Sequence, residues 1–312
     1  MGGSETIYIL GSGAVGLPLA AYLVSDGKHA VAVRTSRSDV PRGTITVSVR
    51  NGADDLRVPV ETVSLSQLPH VDGMIAITAK SYANTSIAPE LRSKAVGGPL
   101  VLLQNGVGVE RAFLEAGFPR IYRCILYVTS QATAENAFAF RPITSSPIGI
   151  VKGNEPDLEK SVRALATSRF PFHPEKNIQR ETWKKAIINS VFNSICPLLE
   201  VDNGIFVRDK AVASLAEEVV GECVTLTDRL SLGLTQAELM EQILRISKGS
   251  DGQLISTLQD IRNGRETEIE FLNLEIARVA ASCQPKIDLP RTAFLGQMIL
   301  ARSRQRHAGR PS

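Results

Sequence analysis

The sequence predicts an α/β domain followed by an all-helical domain. Two observations carry this. Up to about residue 174, apolar runs of strand length alternate with helical segments, and beyond it nearly every segment has the helical period. A glycine-rich turn, Gly11-Ser-Gly-Ala-Val-Gly16, also stands between the first strand and the first helix. At 312 residues the chain is long for one domain, so two are expected, over 1–174 and 175–312. Pro171-Phe-His-Pro174 breaks the pattern and is expected to be a short hinge.

The first strand is Thr6-Ile-Tyr-Ile-Leu10, the first helix Leu17–Val24 and the second strand His29–Val33. Residues 6–33 thus form the βαβ unit that a dinucleotide site requires. Gly11 permits the tight turn, Gly13 lets backbone approach a pyrophosphate, and Gly16 lets helix pack on strand. With Ser12, Ala14 and Val15 they form a loop that leads into a helix N-terminus, which favours anions. Pro18 falls in the first helical turn, where a missing N–H costs little. No acidic residue follows the second strand to hold a ribose 2′-hydroxyl. Arg34-Thr-Ser-Arg-Ser38 stands there instead, which suits a 2′-phosphate and therefore NADPH, with Arg34 or Arg37 making the contact.

Residues 44–60 hold short alternating runs, expected to form a small antiparallel excursion. Met74–Thr78 reads as a buried strand with Lys80 just past its end. Pro99–Leu103 is another, followed by Gln104-Asn-Gly-Val-Gly108. Both deliver polar residues beyond the carboxyl ends of strands, where open α/β sheets bind ligands. Arg123–Thr129 and Ile148–Val151 are further strands, and Asp157–Ser168 is a helix. The second domain reads as helices over 181–200, 209–231, 235–247, 253–263, 266–282 and 290–304.

The helix from Glu181 to Pro197 has two sides. Trp183, Ile187, Ile188, Val191, Phe192 and Ile195 recur at the spacing of a core face. Lys185, Asn189 and Asn193, at i, i+4 and i+8, share one edge. An ammonium and two amides beside an apolar stripe are costly to bury unless the chain or a small polar ligand meets them. The adjacent Lys184 lies about 100° around the helix and reads as a surface lysine.

Composition narrows the function. Hydrophobic content of 43% and charged content of 21% are those of an ordinary globular protein. A net charge of +3 is too small to argue for nucleic acid, and much of the excess sits in Arg302–Arg310, expected to be a frayed tail. Cys124, Cys196, Cys223 and Cys283 are scattered without metal-ligand spacing. Reduced thiols, no metal and a cytoplasmic location are the expectation. His29, His70, His173 and His307 do not cluster with the residues above. No apolar run approaches the roughly 20 residues of a membrane helix, and no secretory signal is evident.

Five separated segments resemble one family, the ketopantoate reductases. They are the Gly11–Gly16 loop, Thr78-Ala-Lys80, Gln104–Gly108, Trp183–Asn193 and Ser256-Thr-Leu-Gln-Asp-Ile-Arg-Asn-Gly-Arg-Glu-Thr-Glu268. The resemblance spans about residues 6–300, and the last segment is the most family-specific. It implies a Rossmann domain plus a helical domain like the C-terminal domain of 6-phosphogluconate dehydrogenase, with the active site in the cleft between domains. It implies NADPH-dependent reduction of 2-dehydropantoate to (R)-pantoate, in pantothenate and coenzyme A synthesis. Lys185 then corresponds to the catalytic general acid, and Glu268 to the essential carboxylate, which lies on the cofactor side as well. Asn189, Asn193 and Ser256 correspond to substrate contacts, and Lys80 and Asn105 to a pair near the nicotinamide ribose and the reacting centre. Taken alone, Glu268 could instead favour a helix N-terminus with Thr267 as its cap. A homodimer through the helical domain fits its apolar faces, although the family also includes monomers.

Two positions depart from the family pattern. Gln253 stands where asparagine is common, and Thr257 where methionine is common. Both bear on which substrate is read, so a paralogous reductase of another branched 2-oxo or 3-oxo acid is the alternative. A non-catalytic NADPH-binding regulator is a further one, opposed by the intact Lys185, Asn189, Asn193, Ser256 and Glu268.

Overall fold

The computed structural model describes residues 5–35, 41–95 and 97–308, with side chains up to 305. It forms two compact units. The first takes the described residues up to Gln104 and from Val109 to Ile178, and the second takes Asn105–Gly108 and the chain from Gln179 onward.

The first unit is built on one eleven-stranded sheet. Its elements are β1 (Ile7–Leu10), α1 (Gly16–Ser25), β2 (Ala30–Arg34), β3 (Gly43–Asn51), β4 (Asp54–Ser64), β5 (Met74–Ile77), α2 (Asn84–Lys94), β6 (Leu100–Leu102), α3 (Arg111–Glu115), β7 (Ile121–Cys124), β8 (Val128–Ala134), β9 (Ala137–Pro142), β10 (Ser146–Lys152), α4 (Glu155–Leu165) and β11 (Phe172–Pro174). The strand order is β11-β10-β7-β6-β5-β1-β2-β4-β3-β9-β8. From β4 to β7 the pairing is parallel throughout, in the order of a doubly wound dinucleotide-binding sheet. These central strands are short and apolar on both faces, as strands covered from both sides must be.

Three sequence expectations change here. The 44–60 excursion is the long β3–β4 hairpin, and β4 also pairs in parallel with β2, so it belongs to the main sheet. The strand expected over Arg123–Thr129 is two, since β7 ends at Cys124 and β8 starts at Val128 and turns away to pair with β9. Phe172–Pro174 is not a break but an edge strand beside β10, where a terminal proline withholds no needed ladder bond.

The outer strands wrap α1. Every residue from Gly16 to Leu23 is buried, because β3 and β4 pack on α1 as β1 and β2 do. Tyr22 meets Phe140 edge-on at 5.6 Å, and Phe140 meets Phe170 at 5.0 Å. This aromatic row holds the β8–β9 hairpin against the helix that follows the glycine loop.

The second unit is helical: α5 (Ile178–Leu199, entered from the first unit), α6 (Ile205–Arg208), α7 (Lys210–Arg229), α8 (Gln236–Gly249), α9 (Ser256–Arg262), α10 (Asn273–Ser282) and α11 (Pro290–Ala308). Its core joins Trp183, Ile187, Val191, Phe192 and Ile195 of α5 to Val219, Cys223, Ile243 and Ile276, so the α5 stripe faces inward as expected. The helix expected over 266–282 is interrupted. Ile269–Phe271 is a 3-10 turn, and Leu272 leaves helical geometry at φ −113°, ψ −107° before α10 begins. The basic segment starting at Arg302 begins within α11. Arg302 donates to the Pro197 carbonyl at 2.7 Å and pairs with Glu200, so the segment is anchored at that end rather than frayed. Its last two residues, Gly309 and Arg310, lie outside the described residues.

Candidate active site

In the first unit, the loops after β1 and β5 lie against each other. The Thr78 hydroxyl donates to the Gly11 carbonyl at 2.9 Å, and the N–H groups of Thr78 and Ala79 donate to the Leu10 carbonyl at 2.8 and 2.9 Å. This contact needs glycine. Gly11 has φ +118°, and a Cβ there would sit 2.4 Å from the Ala79 nitrogen. A Cβ on Gly16 would fall 1.8 Å from the Gly11 carbonyl oxygen. Gly13 is the opposite case, because a Cβ there would meet nothing within 4 Å. Two glycines are therefore required by the chain, and the third is bare toward open space, as backbone that receives a pyrophosphate must be. α1 has no side-chain cap and no acidic residue in its first turn, so its leading N–H groups suit an anion.

Arg34 ends β2, and the Val33 carbonyl beside it accepts from Gly11 N–H at 2.9 Å, so the arginine stands next to the loop. Arg34 Nε is buried without a hydrogen-bond partner among the described residues. An orphaned guanidinium donor beside a glycine loop fits a 2′-phosphate. Arg37 lies outside the described residues. These features together fit a nicotinamide dinucleotide at the Gly11–Gly16 loop, with Arg34 beside it.

Lys80 follows β5 and is half-buried. Its approach is fixed by a buried amide pair that sequence reasoning missed. Gln104 Nε2 donates to the Ala79 carbonyl at 2.7 Å and to Asn84 Oδ1 at 2.7 Å, while Asn84 Nδ2 donates to Gln104 Oε1 at 3.0 Å. Polar residues at a strand end and a helix start were the only signal, and it does not reveal that they meet.

In the second unit, Lys185, Asn189 and Asn193 lie along α5. Lys185 and Asn189 are half-buried, and Asn193 is 3% exposed. Asn193 Nδ2 donates to the Asn189 carbonyl at 2.9 Å. Its Oδ1 accepts from Thr257 Oγ1 at 2.7 Å and from Ser256 Oγ at 3.3 Å. The structure therefore brings Ser256 directly against Asn193, which also bonds the Asn189 backbone carbonyl one turn back, and adds a Thr257 contact that the sequence did not assign. Lys184, expected at the surface, is half-buried like Lys185 and pairs with Glu181 at 2.9 Å.

Asn105 and Glu268 are also brought near each other. Val107 N–H donates to the Phe271 carbonyl at 2.8 Å, and Phe271 N–H donates to the Glu268 carbonyl at 3.0 Å. Gly106, at φ +99°, passes so close that a Cβ would stand 2.5 Å from the Phe271 oxygen. The Asn105–Gly108 loop is thus seated on the turn that carries Glu268. Thr267 Oγ1 is buried and unpartnered, so Thr267 does not cap a helix here. Among the described residues, no group of three or more His, Cys, Asp or Glu side chains could hold a metal, and no helix is long and apolar enough to cross a membrane.

Comparison with known proteins gives the family and the fold. Residues 7–149 match the family model described as ketopantoate reductase PanE/ApbA, and residues 177–303 match its C-terminal counterpart. The chain is thus an oxidoreductase that acts on CH–OH groups with a nicotinamide cofactor. It belongs to the ketopantoate reductase family. A 2-dehydropantoate 2-reductase of Pyrococcus abyssi is 28% identical over 302 residues, covering 94% of this chain and 96% of the relative. The solved PanE/ApbA family ketopantoate reductase of Ralstonia eutropha shares the fold at TM-score 0.84 and 19% identity, covering 96% of this chain and 99% of that one. A D-mandelate dehydrogenase solved with NADH and anilino(oxo)acetate has the same fold at TM-score 0.84 and 20% identity, with the same coverage.

Proposed function

We propose that this protein reduces 2-dehydropantoate to (R)-pantoate with NADPH, in the cytoplasm. The observation that supports it most is the edge of α5, where Lys185 and Asn189 stand half-buried and Asn193 ties Ser256 and Thr257 to the same helix. The bound nicotinamide supplies the hydride. As negative charge develops on the ketone oxygen, the Lys185 ammonium stabilises it and donates the proton. Asn189 and Ser256 hold the substrate's oxygen atoms, the Ser256 hydroxyl turning from Asn193 to donate to the substrate carboxylate. Glu268 and Asn105 act beside one another toward substrate and ribose, and Lys80 serves the cofactor side. Of the two arginines in the basic segment, Arg34, with its buried orphan Nε, is the one assigned to the 2′-phosphate. Residues 1–174 hold the cofactor and 175–312 supply acid and substrate contacts, apart from Asn105, which packs with the helical unit. A homodimer through the helical unit accords with its exposed Phe294 and Met298.

Thr257, buried against Asn193, favours a second reading, in which another branched 2-oxo acid is the substrate. The likeness to D-mandelate dehydrogenase adds aryl 2-oxo acids to the panel to be tested. NADPH oxidation followed at 340 nm across such a panel separates the two. Lys185→Ala lowers kcat by about 10²–10⁴-fold. Arg34→Ala weakens NADPH about tenfold and leaves NADH nearly unchanged. Turnover of no oxo acid defeats the enzyme reading, a better substrate than 2-dehydropantoate defeats the pantoate assignment, and equal use of NADH defeats the role of Arg34.

A further inference from the structure

The turn that leads into α1 contains a backbone gap that a distant strand fills. In an α-helix each carbonyl accepts from the N–H four residues on. The Gly13 carbonyl accepts from Leu17 N–H at 3.1 Å, and the Val15 carbonyl accepts from Leu19 N–H at 3.0 Å. Between them, the Ala14 carbonyl faces position 18, which is proline and has no N–H. The Ser130 hydroxyl donates to that carbonyl instead, from β8, 116 positions further along the chain. β8 reaches the loop because it pairs with β9, whose Phe140 packs on Tyr22 of α1.

We infer that Ser130 is a positioning residue for the cofactor loop and acts through the Ala14–Val15 peptide. A trans peptide is planar, so its C=O and N–H point in opposite directions. Holding the Ala14 oxygen toward Ser130 aims the Val15 N–H at the N-terminal opening of α1, the place for a phosphate. α1 offers no side-chain cap there, so the aim of its backbone donors decides how well the anion is met. Pro18 and Ser130 are thus one device, in which proline removes a donor and serine replaces it. The inference rests on the reading of Gly11–Gly16 as a dinucleotide loop, and the experiment keeps the two apart.

The test measures NADPH affinity by calorimetry for wild type, Ser130→Ala, Ser130→Thr, Pro18→Ala and the double variant Pro18→Ala/Ser130→Ala. Losing one such bond in Ser130→Ala weakens NADPH about three- to tenfold, while Ser130→Thr keeps the hydroxyl and stays within about twofold. Pro18→Ala supplies the missing N–H, so adding Ser130→Ala to it changes affinity by less than about twofold. Hydrogen–deuterium exchange of cofactor-free protein gives an independent readout. The segment 11–18 exchanges faster in Ser130→Ala and returns to its wild-type rate in the double variant. Wild-type affinity in Ser130→Ala, or a double variant as weak as Ser130→Ala, overturns the inference. If wild type binds neither NADPH nor NADH, the proposed function falls, and unchanged exchange in Ser130→Ala still overturns the Pro18–Ser130 pairing.

Discussion

Asn193 shows how far one side chain can be read before its neighbours are known. Its helical offset from Lys185 places it on the polar edge of α5, which was legible from spacing. Its partners were not, because Ser256 and Thr257 are 63 and 64 positions away. In the structure its oxygen accepts two hydroxyl bonds and its nitrogen uses one of two N–H groups on Asn189. Thr257 therefore sets which way the amide points. Thr257→Val keeps the shape but removes a bond worth about 1 kcal/mol. We expect it to raise KM for the oxo acid about fivefold with a smaller change in kcat, and Thr257→Ser to restore KM. Steady-state kinetics of both variants decide this, and an unchanged KM in Thr257→Val would remove Thr257 from the site.

The longest helices and the apolar central strands were read correctly, whereas the helix expected over 266–282 is interrupted and the β8–β9 hairpin was not foreseen. α5, α7 and α8 follow the helical spacing of their own residues, so local chemistry suffices. β8 has an exposed, largely polar sequence and β9 buries only alternate residues, Phe138 and Phe140, so the two strands exist through each other and through α1. The link between α5, α6 and the loop after α8 is of the same kind. The Asp202 carboxylate accepts from Gly204 N–H at 2.8 Å, from Gly252 N–H at 3.1 Å and from Arg208 at 2.8 Å. The Arg208 hydrogen bond first, then the backbone donors, hold its pKa down from 3.8 to about 2. A depressed carboxylate stabilises the fold above its unfolded pKa, and the contribution is lost as pH falls through the folded value. Discounted for partial exposure, this amounts to about 1 kcal/mol. Asp202→Asn should therefore lower the urea midpoint at pH 6, and the gap to wild type should close between about pH 4 and pH 2. A gap independent of pH over that range would show that the ion pair does not carry the link.

At the scale of the whole molecule, the cysteines test the packing of both units. Cys124, Cys196 and Cys223 are buried, and Cys283 is half-exposed. Burial pushes the thiols of Cys196 and Cys223 up to about 12, so neither supplies a thiolate near neutral pH. Native protein treated with a thiol reagent at pH 8 should react quickly at Cys283 alone, with the other three reacting on unfolding. Fast native labelling of Cys196 or Cys223 would contradict the packed core. The sequence by itself determined the βαβ unit, the glycine loop, the basic end of β2, the helical half and the lysine–asparagine edge. Those features repeat over a few residues or one helical turn, so neighbours along the chain suffice to specify them. Only the tertiary structure decided that β8 and β9 close over α1, that Ser130 bonds the Ala14 carbonyl opposite Pro18, that the Asn105 loop sits on the Glu268 turn, and that Thr257 bonds Asn193. Each of these joins groups far apart in sequence. Their hydrogen bonds form only once the sheet and helices have brought donor and acceptor within reach.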